Sequence, residues 1–277
     1  MDFKNIVSKI DSLPPLNDTA HLVRELYNDG SGEVDIKRLI SLVESDALLT
    51  ANILKMINSP LYGFSNMISS VSQAVTLFGT QIVSGLVVKY SIESAVIANL
   101  RSYGVSNSKF NDMCHLQSSL LYKWYSKVNL KKAQVLAPLA LIMESGKLVI
   151  SQEVARTSSI KEYLKNFREA TSVIEYENSV LGTTSYYVSG LLFEHWKLDT
   201  LYVNILKGLD YEQESSVGLE EYLDVLDVVR SVINVKEIFT DKSISDGAEI
   251  VKMMNLDVKI FLQVVQKMRE TYEEGML

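Results

Sequence analysis

Cysteine, histidine and proline are all scarce in this chain, and each scarcity excludes a class of chemistry or structure. Cys114 is the single cysteine in 277 residues, so neither an intrachain disulfide nor a paired-cysteine metal site can form. The histidines number three, His21, His115 and His195, and no His-x-x-x-His pair places two imidazoles on one helical face. With 4 prolines and 13 glycines there are few breakers, which favours long helices over many short strands. The glycine patterns of a phosphate-binding loop and of a serine nucleophile elbow are both missing. The most apolar run, "VLAPLALIM", is closed by Glu144 and falls short of the roughly 20 residues that span a bilayer. The opening "MDFKNIVSKID" lacks the apolar block of a signal peptide. Positive charge is not in excess: 27 basic residues face 34 acidic ones, a net charge of -7. That balance argues against a nucleic-acid partner, since the only basic cluster, Lys131-Lys132, reads as a helix start. The expectation is a soluble cytoplasmic protein with no membrane or nucleic-acid partner and no cofactor.

What the chain does have is helical periodicity. Apolar residues make up 47% of it, enough for a sizeable core. Ile36, Leu39, Ile40 and Val43 recur at i, i+3, i+4 and i+7. Asp46 is placed to cap the next helix, Ser70 and Gln73 have capping-box spacing, and Gly79 can close the helix they open. The polar stretch 101–112 reads as an exposed connection between two helical halves. Three further helices are expected near 219–239, 246–254 and 257–273, with Leu223, Leu226 and Val229 bordering an apolar stripe. The acidic pairs Glu220-Glu221, Asp224/Asp227 and Glu273-Glu274 read as solvated surface. With no convincing strand or internal repeat, the fold class is all-α.

One set of residues is more specific. Leu13-Pro14-Pro15-Leu16, Asp46, Leu49, Asn58-Ser59, Tyr62-Gly63, Ile68-Ser69-Ser70-Val71, Ala74-Val75 and Leu77-Phe78-Gly79 follow one another in a characteristic order. This pattern resembles the HDOD domain, a bacterial signal-transduction relative of the HD-type phosphohydrolases. The likeness continues more weakly through "EYENSVLG" and "VSGLLFEHWKL" to about residue 210. It implies one HD-like helical domain over 1–210, in two packed halves joined near 101–112. Residues 211–277 would be a C-terminal helical extension.

The resemblance also has chemical content. Catalytic relatives hold a divalent metal with a first His, a His-Asp pair and later His or Asp residues. His115 stands where the first His is expected, Met143-Glu144 in "ALIMESGKL" where the pair is expected, and Ser185 at a later His. A further His-His position falls near Leu209-Asp210. A thioether does not replace imidazole on a hard or borderline dication, and His115 with Glu144 leaves too few ligands. His115, Met143, Glu144 and Ser185 therefore read as a degenerate former metal site, with no catalytic and no metal-binding residues. The expected function is a non-enzymatic regulator acting through an unidentified signalling protein. Asn58, Ser59, Tyr62 and Gly63 are its candidate contact surface, and self-association is left open. The alternative is a nucleotide or second-messenger binder, or a residual metal-dependent phosphohydrolase, using the cleft bordered by His115, Glu144 and Ser185. Lys147 is the only adjacent cation for a phosphate, and otherwise a helix-end charge.

Overall fold

A computed structural model describes residues 3–27, 34–58, 67–96, 99–157, 159–210 and 218–275. The first half holds α1 (Phe3–Asp11), α2 (Asp18–Tyr27), α3 (Ile36–Glu44), α4 (Ala47–Ile57) and α5 (Val71–Ala95). A 3-10 turn, Leu100–Tyr103, leads into the second half. There follow α6 (Asn107–Tyr125), α7 (Leu130–Ile142), α8 (Gly146–Arg156), α9 (Ile160–Glu169), α10 (Val173–Leu181), α11 (Ser185–His195) and α12 (Thr200–Gly208). The chain closes with α13 (Glu220–Val232), α14 (Asp241–Met253) and α15 (Val258–Glu273). The described residues contain no strand, only an isolated bridge between Ile233 and Ile238. The fold is all-α.

Local chemistry sets the helix ends. The Asp46 carboxylate accepts from Leu49 N–H at 3.0 Å and starts α4. Ser70 Oγ accepts from Gln73 N–H, while Gln73 Oε1 takes the N–H of Ser69, one residue earlier than a regular capping box. Gly79, at φ 84° and ψ 165°, interrupts α5 in a conformation reserved for glycine. The expected break is there, but the chain returns to helix at once. Past it, Gly85 lies against Pro138 of α7; a Cβ at Gly85 would come within 2.6 Å of Pro138 Cβ. Among the described residues, two helical stretches, Val71–Ala95 and Leu130–Arg156, are long and apolar enough to cross a membrane by length and composition. In the second, 89% of the most apolar window is buried inside the fold. The proline motif is tied down as well: Trp196 Nε1 donates to Pro14 O at 2.9 Å.

Three expectations need correction. The stretch 101–112 is only partly an exposed connection, and α6 already begins at Asn107 within it. Ser102 and Tyr103 are buried, because the Tyr103 ring packs edge-on against Tyr163 and Phe167. The helix expected at 219–239 stops at Val232. Ile233 turns extended, and Asn234 Oδ1 accepts from the N–H groups of Lys236 and Glu237 to make a tight turn. Asp227 is not solvated surface but is buried in an ion pair with Arg230.

The C-terminal helices pack on the main body. Phe261 of α15 meets Trp124 of α6 edge-on, with ring centroids 5.2 Å apart. Glu221 of α13 accepts from Tyr125 and Lys132. Lys236 donates to Phe167 O at 2.8 Å, covering carbonyls at the end of α9. One hydrophobic core runs through all three parts of the chain. Deleting residues 219–277 is therefore expected to expose apolar surface on α6 and α7. The truncated chain should lose cooperative thermal unfolding and aggregate, read by calorimetry and light scattering.

Candidate functional site

The turn between α7 and α8 carries the centre of interest. Glu144 and Lys147 sit on either side of Gly146, and both side chains are buried. Gly146 brings α8 onto the start of α11: a Cβ there would lie 2.0 Å from Ser185 O and 2.8 Å from Ser189 N. No side chain fits in that space. Ser189 Oγ seals the approach, accepting from Gly146 N–H at 2.7 Å and lying 2.7 Å from Met143 O as a donor. This contact delivers Lys147 to Ser185.

Lys147 Nζ then meets Glu144 Oε2 at 2.5 Å, Ser185 Oγ at 2.6 Å and Glu177 Oε1 at 3.8 Å. It lies 4.7 Å from the centre of the Tyr186 ring. The second oxygen of Glu144 accepts from Gln117 Nε2 at 2.9 Å and Tyr186 Oη at 3.0 Å. Glu177 accepts from Tyr103 Oη at 2.8 Å and from Ser185 N–H at 2.6 Å, so its charge faces the N-terminus of α11. Arg230 of α13 covers the other side. Its guanidinium stands 4.5 Å from the Tyr186 ring, pairs with Asp227 at 2.5 Å and donates to Leu209 O at 3.1 Å. Asp210 accepts from Thr184 at 3.1 Å.

These groups set each other's charge. Burial alone would raise the Glu144 carboxyl, but Lys147, Gln117 and Tyr186 outweigh it and hold it below its ordinary value. Burial works against the Lys147 ammonium, and Glu144, Glu177 and Tyr186 overcome it, raising its pKa. Lys147 is not a helix-end cation: it lies in the first turn of α8, where the helix dipole opposes positive charge. The carboxylates are what keep it there.

The residues singled out from sequence are only partly brought together. Glu144 and Ser185 meet through Lys147, and Met143 is buried beside them in the chain. Leu209 and Asp210 reach the edge of the cluster through Arg230 and Thr184. His115 points elsewhere. It lines a separate cleft with Asn52, Lys55 and Asn111, while Gln117 contacts Glu144 from α6. Two residues apart on a helix is about 200° of rotation, so the two side chains face opposite ways. Asn58 is engaged internally: its carboxamide donates to Ile68 O at 2.8 Å and accepts from Ile68 N–H at 2.7 Å. Ser59, Tyr62 and Gly63 lie outside the described residues. Sequence reasoning missed Tyr103, Gln117, Glu177, Tyr186 and Arg230. Only Glu177 carried a signal, lying inside the motif-like "EYENSVLG".

The HDOD domain family model matches residues 13–208. The chain belongs to this family. Among solved structures, a Geobacter sulfurreducens HDOD domain protein of unknown function is 16% identical, with 99% of this chain and 94% of that one covered and a TM-score of 0.68. A Shewanella amazonensis protein provisionally named a phosphohydrolase is 17% identical, with 98% and 95% covered and a TM-score of 0.68. A Marinobacter aquaeolei protein provisionally named for signal transduction is 16% identical; this chain covers 60% of its length, with 96% of its own, at a TM-score of 0.68. No curated protein matches the chain. At these identities the likeness establishes the HDOD fold alone.

A divalent metal does not suit the residues now at the HDOD cluster. Both Glu144 oxygens are engaged, one by an ammonium that would repel a dication. Met143 supplies no hard donor. Among the described residues, no group of three or more His, Cys, Asp or Glu could hold a metal ion.

The cluster makes two predictions about stability. Lys147→Met leaves Glu144 and Glu177 buried without their cation and should cost about 3–5 kcal/mol in urea unfolding. Adding Glu144→Gln to that variant should recover part of the loss. The pH dependence follows from Glu144. Its folded pKa lies below the unfolded one, so its contribution is complete above the unfolded value, about 4.3, and is lost as pH falls through the folded value. Wild-type stability should therefore drop more steeply below about pH 4 than that of Glu144→Gln, measured by unfolding across an acid series.

Proposed function

We propose that this HDOD protein is a non-catalytic regulatory module that acts in the cytoplasm through protein contacts. The observation that carries the reading is the Lys147 ammonium, ion-paired with Glu144 where metal-dependent relatives are expected to hold their His-Asp pair. The cation that an HD enzyme would take from solution is here supplied by the chain itself. A fixed ammonium cannot polarise a bound water as a dication does, and it exposes no open coordination position. The signal-transduction name given to the Marinobacter protein is in keeping with this role.

A contact surface is suggested beside the family motif. Leu48, Met67 and Leu77 are large apolar side chains left exposed at 73%, 83% and 51%, and they flank the Asn58–Ile68 clamp in sequence. Exposed apolar side chains at a motif fit protein recognition better than a solvated surface.

The test is metal content and phosphoester turnover. After chelation and desalting, the purified protein is expected to hold no stoichiometric Zn²⁺ or Mn²⁺. It should hydrolyse neither phosphomonoesters nor phosphodiesters with Mg²⁺, Mn²⁺ or Zn²⁺ added. Converting Met143→His together with Lys147→Ala should raise Zn²⁺ affinity above that of the wild type in calorimetric titration, because it restores a donor and removes the repelling charge. A metal retained near one per chain, with turnover lost on Glu144→Ala, would return the protein to the enzymes.

A further inference from the structure

A second site lies away from the ionic cluster, between the two halves of the domain. The cleft has a volume of about 410 Å³ and is walled by α4, α5 and α6. That volume falls within the usual range for small-molecule sites, roughly 300–1,000 Å³. Met56 and Leu116 are buried in its wall, and Tyr90 lines one side. Asn52 and Asn111 are half-buried within it, and Lys55, Ser108 and Asp112 stand exposed at its rim.

The observation that calls for an explanation is His115. Its Nδ1 is buried and has no hydrogen-bond partner among the described residues, although the ring lines an open cleft. A buried polar atom left without a partner is uncommon, and where it borders an open cleft the missing partner comes from whatever occupies that cleft, a water, an ion or a polar ligand group. The imidazole is neutral: burial, and then the nearby Lys89 ammonium, hold its pKa well below the ordinary value. It therefore presents one donor and one acceptor rather than a charge.

The other polar groups define the partner. Lys89 is bound to Glu93 and to Asn111 Oδ1, at 3.0 Å for the latter. Asn111 Nδ2 has no partner among the described residues, and Asn111 lines the cleft. The Asn52 side chain makes no hydrogen bond among the described residues, so its donor and acceptor are both available. Two carboxamides and a neutral imidazole match the edge of an amide-like ring, while Met56, Leu116 and Tyr90 offer apolar surface to its face. Charge disfavours the phosphorylated forms. Lys89 is paired with Glu93, and the cleft lining carries one further cation, Lys55, and one further carboxylate, Asp112, so no net cation awaits a phosphate.

We infer that this cleft binds a neutral planar heterocycle with ring N–H groups, a nucleobase or its nucleoside, with His115 at the floor and Asn52 and Asn111 on its edges. The site is independent of the regulatory reading above, because its residues lie outside the Lys147 cluster.

The experiment is calorimetric titration and thermal shift with free bases, nucleosides and nucleoside 5′-monophosphates at neutral pH. The expected result is saturable binding of at least one base or nucleoside, weakened roughly tenfold or more in its 5′-monophosphate. A base and its nucleoside binding alike would assign the contact to the ring alone; a tighter nucleoside would place the sugar at the rim. His115→Gln and Asn52→Ala should each weaken binding by roughly tenfold. Asp112→Lys, at the exposed rim, should narrow the gap between nucleoside and monophosphate. Should His115→Gln fail to fold, Asn52→Ala and Asp112→Lys carry the decision. The inference is overturned if no base or nucleoside binds at millimolar concentration, if the monophosphates bind more tightly, or if Asn52→Ala and Asp112→Lys change nothing. The outcome leaves metal content and phosphoester turnover untouched, so the two readings fail separately.

Discussion

A buried ammonium has to be matched by carboxylates, and the architecture around Lys147 follows from that requirement. Its three closest polar partners, Glu144, Ser185 and Glu177, come from the α7–α8 turn, α11 and α10. The carboxylates bring further partners with them: Gln117 and Tyr186 on Glu144, Tyr103 on Glu177. Arg230 then covers the Tyr186 ring from α13. Segments far apart in the chain are thereby fixed to one point. An ion pair of this kind adds little net stability over a well-packed apolar core of the same shape, because desolvation consumes most of the Coulombic attraction. What it does add is a strong penalty for any arrangement that separates the partners. The Gly146 contact is part of the same requirement, since any larger residue would hold α8 off α11 and leave Lys147 short of Ser185.

The same cluster accounts for the C-terminal extension. Gln117 Nε2 donates at 2.9 Å to both Glu144 and Ile233 O, so one amide links the cluster to the end of α13. Arg230 and Asp227 form their own pair three residues apart on that helix. The family match ends at residue 208, yet the helices beyond it complete the wall around a charge that lies within the matched region. In physical terms the extension is part of the core and not an appendage.

Much of the fold was legible in the sequence because helices are specified locally. Asp46 and Ser70 cap the helices they precede, and Gly79 breaks α5 where a break was expected. The long-range pairings were not legible. Tyr103 and Glu177 are 74 residues apart, and nothing around either announces the other. The polar composition of 101–112 concealed a tyrosine whose ring belongs to an aromatic cluster. Lys147 looked like a helix-end cation because local rules assume solvent beside it. His115 and Gln117 differ by two positions on one helix, and only the orientation of α6 decides which of them reaches Glu144. The motif that identified the family gave the scaffold, while the charge arrangement depended on residues whose roles appear only once the helices are packed.

That orientation gives α6 a second consequence. The helix carries Gln117 on the face toward the ionic cluster and His115 on the face toward the α4–α5–α6 cleft. A helix is stiff along its length, so its two faces move together. The cluster face is tightly constrained: the Gln117 amide donates at 2.9 Å to a carboxylate already committed to Lys147 and Tyr186. A shift of α6 by even one ångström would stretch that bond beyond its useful range. The floor of the cleft is therefore held in place by the buried charges behind it. The Lys147 ammonium acts in the same direction, since a covalently attached cation cannot dissociate and release the helix. In this fold the Lys147 cluster is an anchor that holds α6 in register between the buried charges on one face and the cleft on the other.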